Sequence, residues 1–488
     1  MADHALKSMT ETIRPALRLR PSEQRGILLL GDLLAGAVAV AGALYFWKRY
    51  ALFQMIATGM PPNRAERLLE VPVPFWFYLL PLAWILLMIE LYEPHAAANW
   101  GRTLRGIALA AVLGLMGYSV VFTINLDPNS LPRIAIGGFL VLAAGVTLAW
   151  RAVYIRIYTT SGLARRVLVV GAGKAGTTLA AVYTGLKPRP FTLVGYVDDD
   201  QQKRGKAYEG LRVLGGTSDL TRIIEDLHVS DVVVAITGEI AGTAFQRILD
   251  AQELGVEVSR MPILYEEMTG RVPVHHLESD WVIRSFVDDV RVSGLYDVSK
   301  RLMDLLAASV GLALFVLTYL PLALATILDS GRPILYGQTR YGRTGKIFKI
   351  FKFRTMRQDA EADGATRPAE INDPRVTRLG RLLRRTRLDE LPQFWNVLRG
   401  EMSTVGPRAE RPELIPAYQR QIPFYRARFL VKPGLTGWAQ INHGYAATVY
   451  DTVVKLEYDL YYIKHRTLWM DLRILLRTIS TVVGLRGR

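Results

Sequence analysis

At 488 residues, half of them hydrophobic, the chain is long enough for two or three domains and too apolar for an ordinary soluble one. The absence of cysteine excludes disulfides and thiolate metal sites. A net charge of +16 points to anionic partners, and with apolar segments present and no nucleic-acid-reading motif, membrane lipids are expected and nucleic acid is not.

The N-terminal segment, residues 1–25, carries Lys7, Arg14, Arg18, Arg20 and Arg25. No small-residue cleavage pattern accompanies the apolar run behind it, so that run is expected to be retained. Residues 26–154 contain four apolar stretches: Gly26–Trp47, Val73–Tyr92, Leu104–Ile124 and Ile134–Tyr154. Each approaches the roughly 20 residues needed to cross a bilayer core, which predicts a four-helix transmembrane bundle. Asp32 and Glu90 fall inside two of them, either near an interface or facing the bundle. With the N-terminus inside, the inner segments hold Lys7, Arg14, Arg18, Arg20, Arg25, Arg102, Arg105, Arg151, Arg156, Arg165 and Arg166. The outer loops hold Lys48, Arg49, Arg64, Arg67 and Arg133. This asymmetry predicts that the chain returns to the cytoplasm after the fourth crossing.

Residues 155–263 change character. Val167–Val170 reads as a short buried strand, and Gly171, Gly173 and Gly176 fit G-x-G-x-x-G at a strand-to-helix turn. That pattern gives a tight turn and a close backbone approach to a phosphate at a helix N-terminus. Asp198 stands where a ribose-binding acid would end a second strand, and further strands are read at Asp231–Ile236 and Val256–Pro262. A doubly wound, Rossmann-like α/β domain follows. Its glycine turn either holds NAD or another nucleotide or serves packing alone; no acid–base pair for hydride chemistry accompanies it.

Residues 264–298 read as a linker. Within them His275 and His276 are adjacent, so an extended segment would point them to opposite faces, away from a shared metal. Leu305–Leu328 is again long enough to span. Pro321 interrupts it, however, and both flanks are basic: Lys300 and Arg301 before, Arg332, Arg340, Arg343 and Lys346 after. A helix–break–helix over about 301–328 that enters and leaves by one face is expected, with a fifth crossing as the alternative.

The densest charge pattern lies beyond. Gly342–Met356 (GRTGKIFKIFKFRTM) alternates basic and apolar residues, bringing Lys349, Lys352 and Arg354. Arg378, Arg381 and Arg385 share one face of a predicted helix, suited to anionic headgroups or a lipid phosphate. Adjacent carboxylates, Asp389 and Glu390, follow Arg384 and Arg387, and Gly406-Pro407-Arg408 lies downstream. A carboxylate serves as nucleophile or metal ligand, and guanidinium groups suit phosphate and pyrophosphate. Trp438 reads as an interfacial anchor and the C-terminal tail as a basic amphipathic helix.

The motifs KFRTM, LDELPQ, GPR, KPGLTGWAQIN and EYDLYYI, in this order over Ser299–Gly487, resemble the bacterial sugar transferases, the polyprenol-phosphate phosphoglycosyl transferases. The resemblance implies a mostly helical monotopic catalytic domain, residues 299–488, on the cytoplasmic face of a bacterial inner membrane. It implies transfer of hexose 1-phosphate from a UDP-hexose to undecaprenyl (polyprenol) phosphate with release of UMP, an early membrane step of polysaccharide synthesis. Asp389 would be the nucleophile and Glu390, with Asp389, the Mg²⁺ ligand. Lys352, Arg354, Arg384, Arg387, Arg408 and Asp459 would hold substrate phosphate. A homodimer is expected. Where the family has proline after GPR, this chain has Ala409. Two other functions remain open on the sequence: a membrane-tethered nucleotide-sugar epimerase or oxidoreductase using the α/β domain, and a nucleotide-sensing scaffold.

Overall fold

The computed structural model describes residues 21–64, 73, 75–92, 97, 99–124, 133–158, 165–186, 189, 191–277, 294–357, 360, 373–443 and 448–483. Lys7, Arg14, Arg18, Arg20 and Arg67, the linker residues 278–293 and the side chain of Glu90 lie outside them. The chain is a membrane protein of helices plus an α/β sheet. It divides into two compact units, residues 1–169, 180–232 and 247–257, and residues 170–179, 233–246 and 258–488.

The first unit begins with α1 (Pro21–Ala57), α2 (Leu80–Leu87), α3 (Trp100–Ile124) and α4 (Arg133–Tyr158). Of these, α1, α3 and α4 are long and apolar enough to cross a membrane. The stretch Val73–Tyr92 differs from the single crossing helix expected of it: a 3₁₀ turn (Phe75–Leu79), the eight-residue α2 and a second 3₁₀ turn (Ile89–Tyr92) follow one another. Pro81 is the reason. It stands in the first turn of α2, where its missing N–H costs nothing, and the chain just upstream of it is 3₁₀.

Ala39, Ala43, Trp84, Ile107, Ala110, Phe139 and Ala143 form the bundle core. Asp32 faces this interior, not the interface. Its Oδ2 accepts from Arg151 Nη2 at 2.6 Å, and both side chains are fully buried. Arg151 also donates to the Leu91 carbonyl at 3.0 Å. An apolar surround tolerates such charges only as a hydrogen-bonded pair.

The α/β sheet contains β1 (Arg166–Val170), β2 (Thr192–Val197), β3 (Ala207–Tyr208), β4 (Leu211–Gly215), β5 (Asp231–Val234) and β6 (Glu257–Arg260). Its order is β3-β4-β2-β1-β5-β6, with β3 antiparallel to β4 and β2 parallel to it. Strand order reverses beside β1, at the carboxyl end of which the glycine turn sits. Helices α5 (Lys174–Gly185), α6 (Leu220–Asp226) and α7 (Gly242–Glu253) connect the strands.

In the second unit, α8 (Met261–Thr269) is a helix where a linker was expected. Next comes α9, Gly294–Ser330, 37 residues long with Pro321 inside. The expected break is absent: the helix continues through Pro321. One missing N–H removes one ladder bond, and the surrounding Leu and Ala residues favour continuation. Among the described residues α9 is the fourth helix of membrane-crossing length.

The N-terminal half of α9 is bolted to the polar core. Buried Asp304 accepts from Ser403 Oγ and Thr404 N, both at 2.9 Å, and from Thr404 Oγ1 at 2.6 Å. Gly311 lies under Phe394, where a Cβ would come within 2.3 Å of the ring. The hairpin β7 (Leu335–Tyr341) and β8 (Ile347–Phe353) follows, pairing Leu335 with Phe353. Phe353 then packs on Phe315 and Tyr319. The remaining elements are α10 (Arg378–Thr386), a 3₁₀ turn (Leu388–Gln393), α11 (Phe394–Arg399), β9 (Ser403–Val405) and α12 (Ile415–Gln421). They continue with β10 (Gly434–Thr436), α13 (Trp438–Asn442), α14 (Val449–His465) and α15 (Leu468–Val483). Trp438 is not an interfacial anchor. It is buried, donates to the Gly270 carbonyl at 2.9 Å and stacks on Tyr461.

Replacing Asp304 by Ala leaves the Ser403 and Thr404 donors unpaired in a dry contact. A loss of about 2–4 kcal/mol is expected, read as a lowered thermal midpoint of the detergent-solubilised chain; an unchanged midpoint would contradict this assignment.

Candidate active site

The site is assembled from three short segments. Thr377 begins α10 by accepting from Gly380 N at 2.9 Å. The helix ends at Arg387, which takes a left-handed conformation (φ 56°). That reversal starts the 3₁₀ turn Leu388–Gln393 and carries Asp389 into the interior, where it is 6% exposed. Pro392 suits a turn with no ladder donor to supply. β8 delivers Lys352 from one side. The loop after β9 delivers Arg408 from another.

Glu390 collects the cations. Its Oε1 accepts from Lys352 Nζ at 2.8 Å and from Arg408 Nη2 at 3.1 Å, and Arg387 Nη1 lies 3.8 Å from Oε2. These charges outweigh the cost of burial and hold Glu390 well below the usual carboxylate range. Burial also moves Lys352 below its ordinary value, while Glu390 raises Arg408. Asp389 is pushed up to about 6, first by burial and then by the Glu390 charge, with Lys352, Arg384 and Arg408 pulling against it. The two neighbours are therefore unlike: one carboxylate locked by cations, the other poised to titrate.

The other expected residues are placed variously. Arg384 lies beside the dyad with its Nε donating to Thr355 Oγ1 at 2.9 Å. Arg354 turns away, donating to the Arg332 carbonyl at 3.0 Å. Arg378, Arg381 and Arg385 are exposed on the outer face of α10. Asp459 is one step removed. It is buried and accepts from Arg428 Nη2 at 2.8 Å, and that same nitrogen donates to the Arg408 carbonyl at 3.2 Å. Lys455, the alternative partner of Asp459 on α14, bonds Glu410 instead.

Sequence reasoning missed the scaffold behind Arg408. Arg428 is 3% exposed and also donates to Glu410 Oε1 at 3.0 Å and Tyr425 Oη at 2.8 Å. Arg340 Nη1 donates to the Ala409 carbonyl at 2.9 Å. Two arginines thus grip successive carbonyls of the loop that aims Arg408. No spacing signal links residues so far apart in the chain. Tight glycines complete the loop: a Cβ on Gly406 would come within 2.4 Å of the Lys432 carbonyl. Inside the dyad's own turn, Gln393 Nε2 is buried without a hydrogen-bond partner among the described residues.

In the α/β domain, Gly171 takes φ +108°, with the Ala235 carbonyl 3.2 Å from where a Cβ would be, so glycine is required there. Gly173 is exposed and open, and Gly176 is buried. The adjoining cleft, lined in part by Ala175, Ile236, Arg260 and His276, holds only about 20 Å³. Ligand pockets run to hundreds. Asp198 accepts from Lys203 Nζ at 3.0 Å.

Residues 295–485 match the family described as bacterial sugar transferase, and residues 90–253 match a CoA-binding domain. The UDP-glucose:undecaprenyl-phosphate glucose-1-phosphate transferase of Xanthomonas campestris pv. campestris is 31% identical over 360 residues, 72% of this chain and 72% of that one. The chain belongs to the bacterial sugar transferase family.

Two further relatives in that family are a UDP-N-acetylgalactosamine-undecaprenyl-phosphate N-acetylgalactosaminephosphotransferase of Aeromonas hydrophila, 42% identical over 228 residues, and an undecaprenyl-phosphate glucose phosphotransferase of Komagataeibacter xylinus, 35% identical over 341. The matches cover 47% and 67% of this chain and span 52% and 61% of those relatives. In this family member the unlike surroundings of the two carboxylates set a titration that a substitution tests. Glu390→Gln removes the repelling charge and frees Lys352 and Arg408 to face Asp389. Asp389 should then titrate lower by roughly one pH unit or more, followed by the infrared carboxyl band of ¹³C-aspartate-labelled protein. An unmoved titration would contradict the coupling.

Proposed function

We propose that this chain transfers hexose 1-phosphate from a UDP-hexose to a polyprenol phosphate, undecaprenyl phosphate in bacteria, through a phosphosugar–aspartyl intermediate on Asp389. The observation that carries the reading is the division of labour in the dyad: Asp389 is the only one of the two carboxylates not tied to a cation by a hydrogen bond or ion pair among the described residues. The names of these three relatives agree on undecaprenyl phosphate and differ in the sugar.

In the first half-reaction an Asp389 oxygen forms a bond to the β-phosphorus, and the bond from that phosphorus to the bridging oxygen breaks. UMP leaves with the electron pair. In the second, a phosphate oxygen of the lipid bonds to the same phosphorus and Asp389 departs as carboxylate. Splitting the transfer lets a water-soluble donor and a lipid acceptor arrive in turn. Lys352 and Arg408 neutralise Glu390 and present positive charge to the diphosphate. Arg384 holds its charge beside Asp389.

Mg²⁺ is the proposed cofactor. No cluster of three or more acidic, histidine or cysteine side chains occurs among the described residues. Asp389 and Glu390 supply two carboxylates, the share Mg²⁺ takes when phosphate oxygens complete its shell. Bound there, the ion would neutralise developing charge on the leaving phosphate. The α/β domain has a regulatory or structural role in this reading. Its small cleft argues against the tethered oxidoreductase. A monotopic α9 is also favoured. About eleven residues past Tyr319 the helix ends, yet Phe353 brings the chain back beside Tyr319, midway along the apolar run. This supports a cytoplasmic active site at the inner membrane surface.

With UDP-hexose and membranes, Asp389→Asn should abolish UMP release, while Gly173→Val should retain much of it. Because the ionised carboxylate attacks, single-turnover UMP release should rise as pH passes about 6. Full release from the asparagine variant would refute the reading.

A further inference from the structure

A second polar site lies at the far end of α10 from the dyad. An open groove of about 490 Å³ is lined by Asp329 and Ser330 at the end of α9, by Arg357, and by Thr377 and Arg378 at the start of α10. Among the described residues, neither guanidinium and not the carboxylate has a hydrogen bond or ion-pair partner. The α10 wall is fixed. Thr377 is engaged with Gly380 N, and Gly380 is seated so tightly on β8's exit that a Cβ would come within 2.1 Å of the Thr355 carbonyl.

The groove opens where the apolar helix ends. Leu324 and Leu328, 58% and 79% exposed, precede Asp329, and exposed Leu382 follows Arg378 on α10 by one turn. Apolar surface therefore leads directly into a cluster of two cations and one anion. That is the pattern of an amphiphile lying along α9 with its head in the groove. A phosphate satisfies Arg357 and Arg378. Asp329 would repel a purely anionic head but accepts from a primary ammonium a few ångströms from the phosphate.

We propose that this groove binds the headgroup of a zwitterionic aminophospholipid, phosphatidylethanolamine in kind, with Arg357 and Arg378 on the phosphate and Asp329 on the ammonium. The proposal rests on α9 meeting the membrane and not on the transfer reaction. The groove is not the reacting-phosphate site. The nine residues of α10 put about 13 Å between its two ends, and the dyad follows the far one. The bound lipid would fix the depth at which α10, and with it the Asp389 turn, sits relative to the headgroup layer.

The test is lipid retention by the purified full chain in detergent, measured by native mass spectrometry with equimolar phosphatidylethanolamine, phosphatidylcholine and phosphatidylglycerol. Phosphatidylcholine carries the same charges but has no ammonium N–H to donate. Wild type should retain phosphatidylethanolamine roughly fivefold or more over phosphatidylcholine. Asp329→Asn should erase that preference while keeping both lipids bound, and Arg357→Gln with Arg378→Gln should release both. All three side chains are exposed, so the variants should unfold at the wild-type temperature. Should a variant misfold, the wild-type ratio alone decides. Equal retention of the two zwitterions, or displacement of phosphatidylethanolamine by phosphatidylglycerol or by polyprenol phosphate, would overturn the assignment.

Discussion

The structure of the catalytic unit depends on where the cations around Asp389 and Glu390 are directed. Lys352 and Arg408 bond Glu390, and Arg387 approaches it, leaving Asp389 buried and without such a bond among the described residues. Two carboxylates side by side in a dry site cannot both ionise cheaply. Fixing one as the permanent anion makes the other respond to pH near 6 and to whatever charge a substrate brings. The left-handed Arg387, the Arg428 and Arg340 grips on the loop, and the close-packed Gly406 all serve to hold that distribution.

The same constraint ties the membrane to the chemistry. Asp304 on α9 accepts three hydrogen bonds from Ser403 and Thr404 of β9, the strand whose next turn delivers Arg408. Arg301 donates to the Val397 and Leu398 carbonyls at the end of α11, directly downstream of the dyad. A shift of the apolar helix therefore pulls on both sides of the site. On the other side of Arg408, β10 pairs with β9 and Trp438 anchors α13 to the Gly270 carbonyl, so the loop is braced by the segment leaving α8.

Much of this was legible from local sequence. The strand-and-glycine pattern at Val167–Gly176 and the apolar runs carry their signal within a few residues, and they predicted the α/β sheet and membrane helices. The failures have two causes. Pro81 shortened a predicted crossing while Pro321 did not break one, because a proline's effect depends on whether a helix starts at it or passes through it. Trp438 looked like an anchor because nothing near it in sequence reveals Gly270 or Tyr461. Asp32 found Arg151 across 119 residues, and Arg428 joined Glu410, Asp459 and Arg408 across three segments. Long-range ion pairs leave no spacing pattern in one chain.

The central claim is that Asp389 carries the sugar phosphate between donor and lipid. The most direct measurement is to mix the full chain with a UDP-hexose labelled at the β-phosphate, without acceptor lipid, quench in acid and map the label by peptide mass spectrometry. The label should sit on Asp389 and disappear when polyprenol phosphate is added before the quench. A label on any other residue, or turnover with no labelled peptide at all, would contradict it.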